Sequence, residues 1–600
     1  MGLTDDLIAV RRGLNRLALD HQERPRTEPR GDLLDRAWIL EKEARRIRHA
    51  QLIAITLLQR AELLLAVDRP RDAIPVLEQT TSVLGELRKD DLRVSALCYL
   101  AEVHGRLRDW QAASAACEQG IGLVEKYRYK ISADYLASAY LRSRIGLYAW
   151  GVRSAYELKR YELAIERAEL SKCRLILTRR RGHRPLSEDE TNREQEFRDL
   201  CRDIAAYPAG RAPEQLLARR NVLWDWMSLG SNAPRGEFRL KRIQSRLRRD
   251  EAVLFYYWVD TQTLAIATID CDGLALELRD LSGQRQRLEE YAQHALEGTR
   301  VNAGLLERVS GFGELLLPSD SKVKWQDKKR LLISPHRMLH SIPFHAIRHE
   351  RRWLIERAAI CYVPNLTSLE IGYVPPKKRR VLVAGIERFD VPVDPPLLPL
   401  PEAEIEAGEV ATIYTSRGVA VTLLKGASAT ADRLRGMAAR GELETYSCLH
   451  FATHGNNVSG DNPMEAHFYL HDSFIDGLEL SNLRLNAETI VLSACSSGQR
   501  PIDGRGLKEL PGDELFGLQA AFFRAGAHKI VGTLWPVDSE AARTIMTGFH
   551  ARLADGKVCD PDCALQASVC EYIAQADIQT SDVYFWAPFF LSALGRVQSR

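Results

Sequence analysis

From Asp32 to about Leu177, apolar residues recur at three- and four-residue steps with few β-branched runs, the period of amphipathic helices. Glu188 to Leu229 keeps that period, broken at "YPAG" (Tyr207 to Gly210). Gly230, Pro234 and Gly236 then mark a boundary, and the pattern changes. "EAVLFYYWVD" (Glu251 to Asp260) and "TLAIATID" (Thr263 to Asp270) predict two paired strands at a sheet edge. "RLLISP" (from Arg330), "RVLVAGI" (from Arg380), "CLHFATHG" (from Cys448), "TIVLSACSSG" (from Thr489) and "HKIVGTLW" (from His528) are unbroken apolar runs of strand length. Strands buried on both faces read this way, as in a parallel sheet covered by helices. The predicted fold is α + α/β: an N-terminal helical region, then a domain with a mostly parallel sheet flanked by helices.

Within the helical part a phrase recurs: "RPRDAI" from Arg69, "DWQAAS" from Asp109 and "RYELAI" from Arg160. In each, a ring (Pro70, Trp110, Tyr161) precedes a small residue (Ala73, Ala113, Ala164) by three. A wedge followed by a small residue lets two antiparallel helices approach closely at the turn of a hairpin. The arrangement resembles the tetratricopeptide repeat. The spacings are 40 and 51 residues, against about 34 in that repeat, which predicts irregular units.

Length and composition narrow the class. Six hundred residues exceed one hydrophobic core. A net charge of +3 gives no global attraction to nucleic acid or membranes. The first residues carry acids where a signal peptide needs bases. No stretch approaches the roughly 20 apolar residues that span a bilayer. Eleven cysteines without framework spacing fit reduced thiols, so a cytoplasmic location is expected.

Two of the apolar runs end on reactive side chains followed by small residues: "LHFATHG" on His454 and "IVLSACSSG" on Cys495. Ligands bind beyond the carboxyl ends of strands in open parallel sheets, so both residues are candidates for one rim. An imidazole near a thiol raises its thiolate fraction or takes its proton during attack. The N–H groups of Gly455 and Cys495 would form a two-donor oxyanion hole. Taken singly, a strand cysteine is an inert buried thiol and a lone histidine a packed one, as expected for Cys361 and Cys448.

These segments, with "GLQAAFFRAGAHKIVGTLWPVD" (Gly517 to Asp538), "YFWAPFFLSALG" (Tyr584 to Gly595), "LLISPHRMLHSIPFHAI" (Leu331 to Ile347) and "LPLPEAEIEA" (Leu398 to Ala407), resemble the CHAT domain, a caspase- and separase-related cysteine peptidase module. The resemblance spans roughly Leu240 to Gly595. It implies a dyad of His454 and Cys495 with Gly455 as oxyanion glycine. It also implies four regions: TPR-like repeats over 1–180, a helical bridge over 181–236, a pseudo-caspase-like half over 237–440, and the catalytic subdomain over 441–600. CHAT proteins commonly carry N-terminal helical repeats. Bacterial ones of this layout are implicated in defence, activated by a partner complex and cutting a dedicated protein such as a gasdermin-like pore former. By that resemblance the chain is a cysteine endopeptidase needing no metal or organic cofactor. Its repeats would bind an activating or inhibitory protein or ribonucleoprotein. The rival reading is a repeat adaptor with an inactive peptidase-like domain.

Two departures stand out. "SSG" after Cys495 is closer to separase than to the acidic residue common in CHAT domains, and "QRPIDGRGLKELP" (499–511) is an insert, read either as a lid or as padding. Asp538 has two compatible readings: N-cap of a helix from Ser539 to Leu553, or the acid that pairs with a basic side chain before the cleaved bond. Asp513 and Glu514 are further acid candidates, at a helix start where the macrodipole alone favours them. Cys559, Cys563 and Cys570 read as structural thiols, and His336, His340 and His345 as packing residues.

Overall fold

The computed structural model describes residues 2–600 except 26–27, 29, 129–139, 142–143, 174–186, 208–210, 229–237, 297–307, 320–321, 377, 394–395, 457–465, 494–516, 556–559, 577–581 and 598–600. The chain divides into two compact units, Met1–Ser171 and Lys172–Arg600.

The first unit is helical throughout its described residues. Ala50–Ala66 pairs with Pro70–Glu86, Asp90–Arg106 with Trp110–Arg128, and Ile145–Glu157 with Tyr161–Leu170. The three turns share one geometry. Each passes through a left-handed residue (Asp68, Arg108, Lys159). Each closes with a backbone bond five residues back, Arg69 to Leu64, Asp109 to His104 and Arg160 to Ala155, all at 2.8 Å. That bond satisfies carbonyls a helix end leaves free. The recurring phrase therefore marks where each second helix begins: Pro70, Trp110 and Tyr161 are first residues, and Ala73, Ala113 and Ala164 are fully buried one turn later.

In the second unit, eleven described strands form one sheet. In chain order they are β1 (Glu251–Trp258), β2 (Thr263–Ile269), β3 (Leu274–Asp280), β4 (Arg330–Ser334), β5 (Ala359–Tyr362), β6 (Arg380–Gly385), β7 (Ala420–Lys425), β8 (Cys448–Ala452), β9 (Thr489–Ser493), β10 (Lys529–Thr533) and β11 (Phe589–Ala593). Their spatial order is β7-β6-β8-β9-β10-β11-β5-β4-β1-β2-β3. The first five are mutually parallel, and so are β11, β5, β4 and β1. The blocks meet at an antiparallel seam between β10 and β11.

The apolar runs became strands, and the β1–β2 hairpin forms as expected with Val253 opposite Ile269. It is not the sheet edge: β3 pairs outside β2. With six of its seven residues only half-buried, β3 lacks the dense apolar signature of the others. The sheet runs across residue 440, since β6 and β7 lie in the same parallel block as β8. The helices of the bridge region, Glu188–Ala205 and Glu214–Ser228, belong to the second unit.

The strand pleat sends alternate side chains of β8 to opposite layers. Cys448 packs with Tyr414 and Ala554, from the helices Pro401–Thr415 and Ser539–Ala554. Phe451 instead meets Phe522 of the helix Gly517–Ala525 at a ring distance of 6.2 Å. At the end of β6 the helix Pro401–Thr415 crosses so closely that a Cβ on Gly385 would stand 2.4 Å from the carbonyl of Ala403, which requires glycine there. From β6 the chain turns outward to β7; from β8 it turns inward to β9. Their carboxyl ends thus bound a switch-point crevice. No described helix is long and apolar enough to cross a membrane.

Candidate active site

His454 leaves β8 two residues past its last member and is held from two sides. Its Nε2 lies 2.7 Å from the carbonyl oxygen of Leu398. A carbonyl only accepts, so Nε2 carries the proton and Nδ1 keeps the lone pair. Phe389 lies against the imidazole at a ring distance of 5.1 Å. Both residues come from the loop after β6, which Leu400 N–H pins by donating to Glu387 O at 2.8 Å. Burial draws the His454 pKa below its ordinary value, against the opposing pull of the Leu398 carbonyl. The imidazole is therefore neutral at physiological pH, as a proton acceptor must be.

On the other side, Thr453 Oγ1 donates to Tyr469 O at 2.6 Å, and the His454 carbonyl accepts from Tyr469 N–H at 2.9 Å. Tyr469 belongs to a small ribbon, Gly455–Asn456, His467–Tyr469 and Phe474–Asp476. Gly455 faces Phe468 in it. The Tyr469–His454 bond makes that a non-hydrogen-bonded pair, so the Gly455 N–H is directed away from the ribbon. An oxyanion donor needs that orientation.

Cys495, Asp513 and the 499–511 insert lie outside the described residues. Parallel to β8, strand β9 is described to its end, with Ala452 opposite Ser493. Thr453 N–H extends the pairing to Ser493 O at 3.3 Å. By sequence, Cys495 follows Ser493 by two residues, as His454 follows Ala452. Asp538 follows β10, the next parallel strand, and is exposed. Its carboxylate accepts from Glu540 N–H at 3.1 Å and Ala541 N–H at 3.0 Å, capping the helix Ser539–Ala554.

Burial pushes Cys98, Cys117 and Cys448 up to about 12 and Cys570 up to about 11, so all four stay protonated. His336 accepts from Trp258 N–H at 2.8 Å, and His345 donates to Ala587 O at 2.8 Å; both are buried packing residues.

Residues 306–594 match the family model described as CHAT domain. The chain carries a CHAT domain. The match begins later than the resemblance read from sequence, which reached back to about Leu240. Tetratricopeptide repeat protein 28 of Mus musculus is 24% identical over a stretch covering 42% of this chain and 12% of that protein, so this chain spans a small part of that relative's length. A crystal structure of the Saccharomyces cerevisiae separase–securin complex aligns with 99% of this chain and 53% of its own, at 8% identity and a TM-score of 0.36. The Arg-specific cysteine proteinase gingipain R aligns with 53% of this chain and 76% of its own, at 9% identity and a TM-score of 0.32.

Beneath the carboxyl ends of the parallel strands, the CHAT domain holds a buried polar chain that sequence reasoning did not find. Glu406 Oε1 approaches Nε2 of His450 at 3.0 Å; Nδ1 of His450 lies 3.0 Å from Nε2 of His550; and Nδ1 of His550 lies 3.0 Å from the hydroxyl of Tyr414. It ties β8 to both helices on that face, two residues from the strand's end. Glu406 and His450 stood in plain view in "LPLPEAEIEA" and "CLHFATHG", but only burial marks them as partners. A cleft of about 690 Å³ lies elsewhere, between the helices Glu188–Ala205 and Ala431–Ala439, and its lining includes Glu194, Arg435, Glu479 and Asn482 but not His454.

Proposed function

We propose that the chain is a cysteine endopeptidase in which Cys495 is the nucleophile and His454 the acid–base partner. The observation that carries this reading is the register. Ala452 faces Ser493 across adjacent parallel strands, and the sequence places His454 and Cys495 two residues beyond each. The tautomer of His454 and the outward N–H of Gly455 support it further.

The chemistry follows. Cys495 Sγ attacks the scissile carbonyl carbon while its proton passes to Nδ1 of His454. The oxyanion takes hydrogen bonds from the N–H groups of Gly455 and Cys495. As the intermediate collapses, His454 protonates the leaving amine and a thioester remains. Water, deprotonated by His454, attacks the thioester and releases the acid and the thiol. A neutral carbonyl at Nε2 orients the ring without a third ionised group.

In this reading the substrate is a dedicated protein, and the helical repeats dock the substrate or a protein or ribonucleoprotein partner that switches the enzyme on. Effector activation in bacterial defence is the setting this layout fits. Asp538 selects a basic residue before the cleaved bond while capping its helix, with Asp513 as a second acid.

The test is labelling with a cysteine-reactive peptidyl electrophile, read by mass spectrometry. Selective modification of Cys495, slowed in His454→Ala, is the expected result. Uniform labelling of exposed thiols returns the chain to the adaptor class.

A further inference from the structure

Among the described residues, the bridge region makes a buried ionic contact with the catalytic half. Arg220, on the helix Glu214–Ser228, pairs with Asp476, and both side chains are almost completely buried. Asp476 ends the third strand of the ribbon. Its second oxygen accepts from Glu479 N–H at 2.9 Å, capping the short helix Gly477–Asn482. Arg220 Nε has no hydrogen-bond partner, so the guanidinium is committed to this contact without being saturated by it.

Two desolvated charges are a poor way to gain stability, since well-packed apolar side chains serve as well or better. A buried ion pair does fix position. Asp476 faces His467, which faces Asn456; Ile475 faces Phe468, which faces Gly455. Two rungs of the ladder therefore separate the Arg220 contact from the backbone that carries the oxyanion donor. The middle strand also packs through Phe468, whose ring meets Phe451 at 5.3 Å and Phe522 at 6.0 Å. His454 is held from the opposite side by Leu398. The imidazole ring thus has a support the ribbon does not share, the loop after β6, while the ribbon holds the backbone of His454 and Gly455.

We propose that Arg220 and Asp476 are positioning residues that set the Gly455 N–H for catalysis. This rests on the peptidase reading. Displacing the helix moves Asp476 and strains the ribbon, which shifts the oxyanion donor while Leu398 and Phe389 still hold the imidazole ring.

The test is Asp476→Asn, which keeps a capping oxygen and the side-chain volume but removes the charge. Turnover is measured with a pool of fluorogenic peptide amides, and Cys495 alkylation with iodoacetamide, a reaction that develops no oxyanion. The expected result is a kcat lowered by about ten- to a hundredfold with KM held. Circular dichroism stays unchanged, and the alkylation rate and its pH profile match wild type. If Asp476→Asn does not fold, Arg220→Lys, which keeps the charge and loses the planar fork, is expected to show the same split. A folded variant with unchanged kcat, or one in which turnover and alkylation fall together, overturns the proposal. Absence of both turnover and selective Cys495 alkylation in the wild type overturns the peptidase reading itself.

Discussion

Leu398 offers His454 a backbone carbonyl, 2.7 Å from Nε2, where many hydrolases place a carboxylate. A carbonyl fixes the tautomer as firmly as an acid does, but it adds only a dipole to stabilise the imidazolium. Burial acts in the opposite sense and keeps the ring neutral. His454 is thus set by orientation rather than by a pKa raised by an ionic partner.

The acid limb of kcat/KM is therefore expected below the ordinary histidine range, near 6.5. Phe389→Ala strips away the ring that shields His454. With less desolvation, protonation occurs at higher pH, and the acid limb moves upward. A pH–rate series on the two proteins checks the direction.

Asp538→Ala removes a cap with two backbone bonds, at a cost of about 1 kcal/mol by thermal melting. Asp538→Asn keeps a capping oxygen and is expected to melt within a few tenths of a kcal/mol of wild type. If the carboxylate also reads a basic residue, Asn lowers kcat/KM for arginine and lysine substrates alone. An unchanged preference leaves Asp538 with its cap.

Stability is expected to fall with acid between about pH 6.5 and 4. Burial pushes His345 down to about 4 and His550 well below its ordinary value. Above pH 6.5 folded and unfolded chains bind the same protons at these sites. Below it the unfolded chain takes up protons the folded one refuses, so the balance moves toward unfolding. His345 alone accounts for roughly 3 kcal/mol by pH 4. Denaturant titrations across that range check the slope, which His345→Asn reduces.

Glu406→Ala takes away the carboxylate 3.0 Å from the buried Nε2 of His450, and a loss of about 1–3 kcal/mol is expected. Joining Glu406→Met to His450→Leu replaces both polar groups by apolar ones but leaves Nε2 of buried His550 without its partner, so only part of the loss is recovered. A double-mutant cycle in urea separates coupling from packing.

The sequence made some of this legible for local reasons. Strands buried on both faces betray themselves by composition, and "RPRDAI", "DWQAAS" and "RYELAI" encode a turn in the same residues that form it. Asp538 read correctly as a cap because capping depends on the three residues that follow. Leu398 escaped notice because its contribution is a carbonyl, which every residue owns. The Arg220–Asp476 pair joins positions 256 residues apart, and neither side chain has a neighbour that signals the other. The seam was hidden for a similar reason: "YFWAPFFLSALG" contains an apolar run but carries no mark of its direction or partners.

That seam has a consequence for how the molecule comes into being. Strand β11 lies between β10 and β5 although it follows both in the sequence. Without Phe589 to Ala593 each parallel block would keep an unclosed inner margin. The sheet becomes one layer only when this late strand slots between two that precede it.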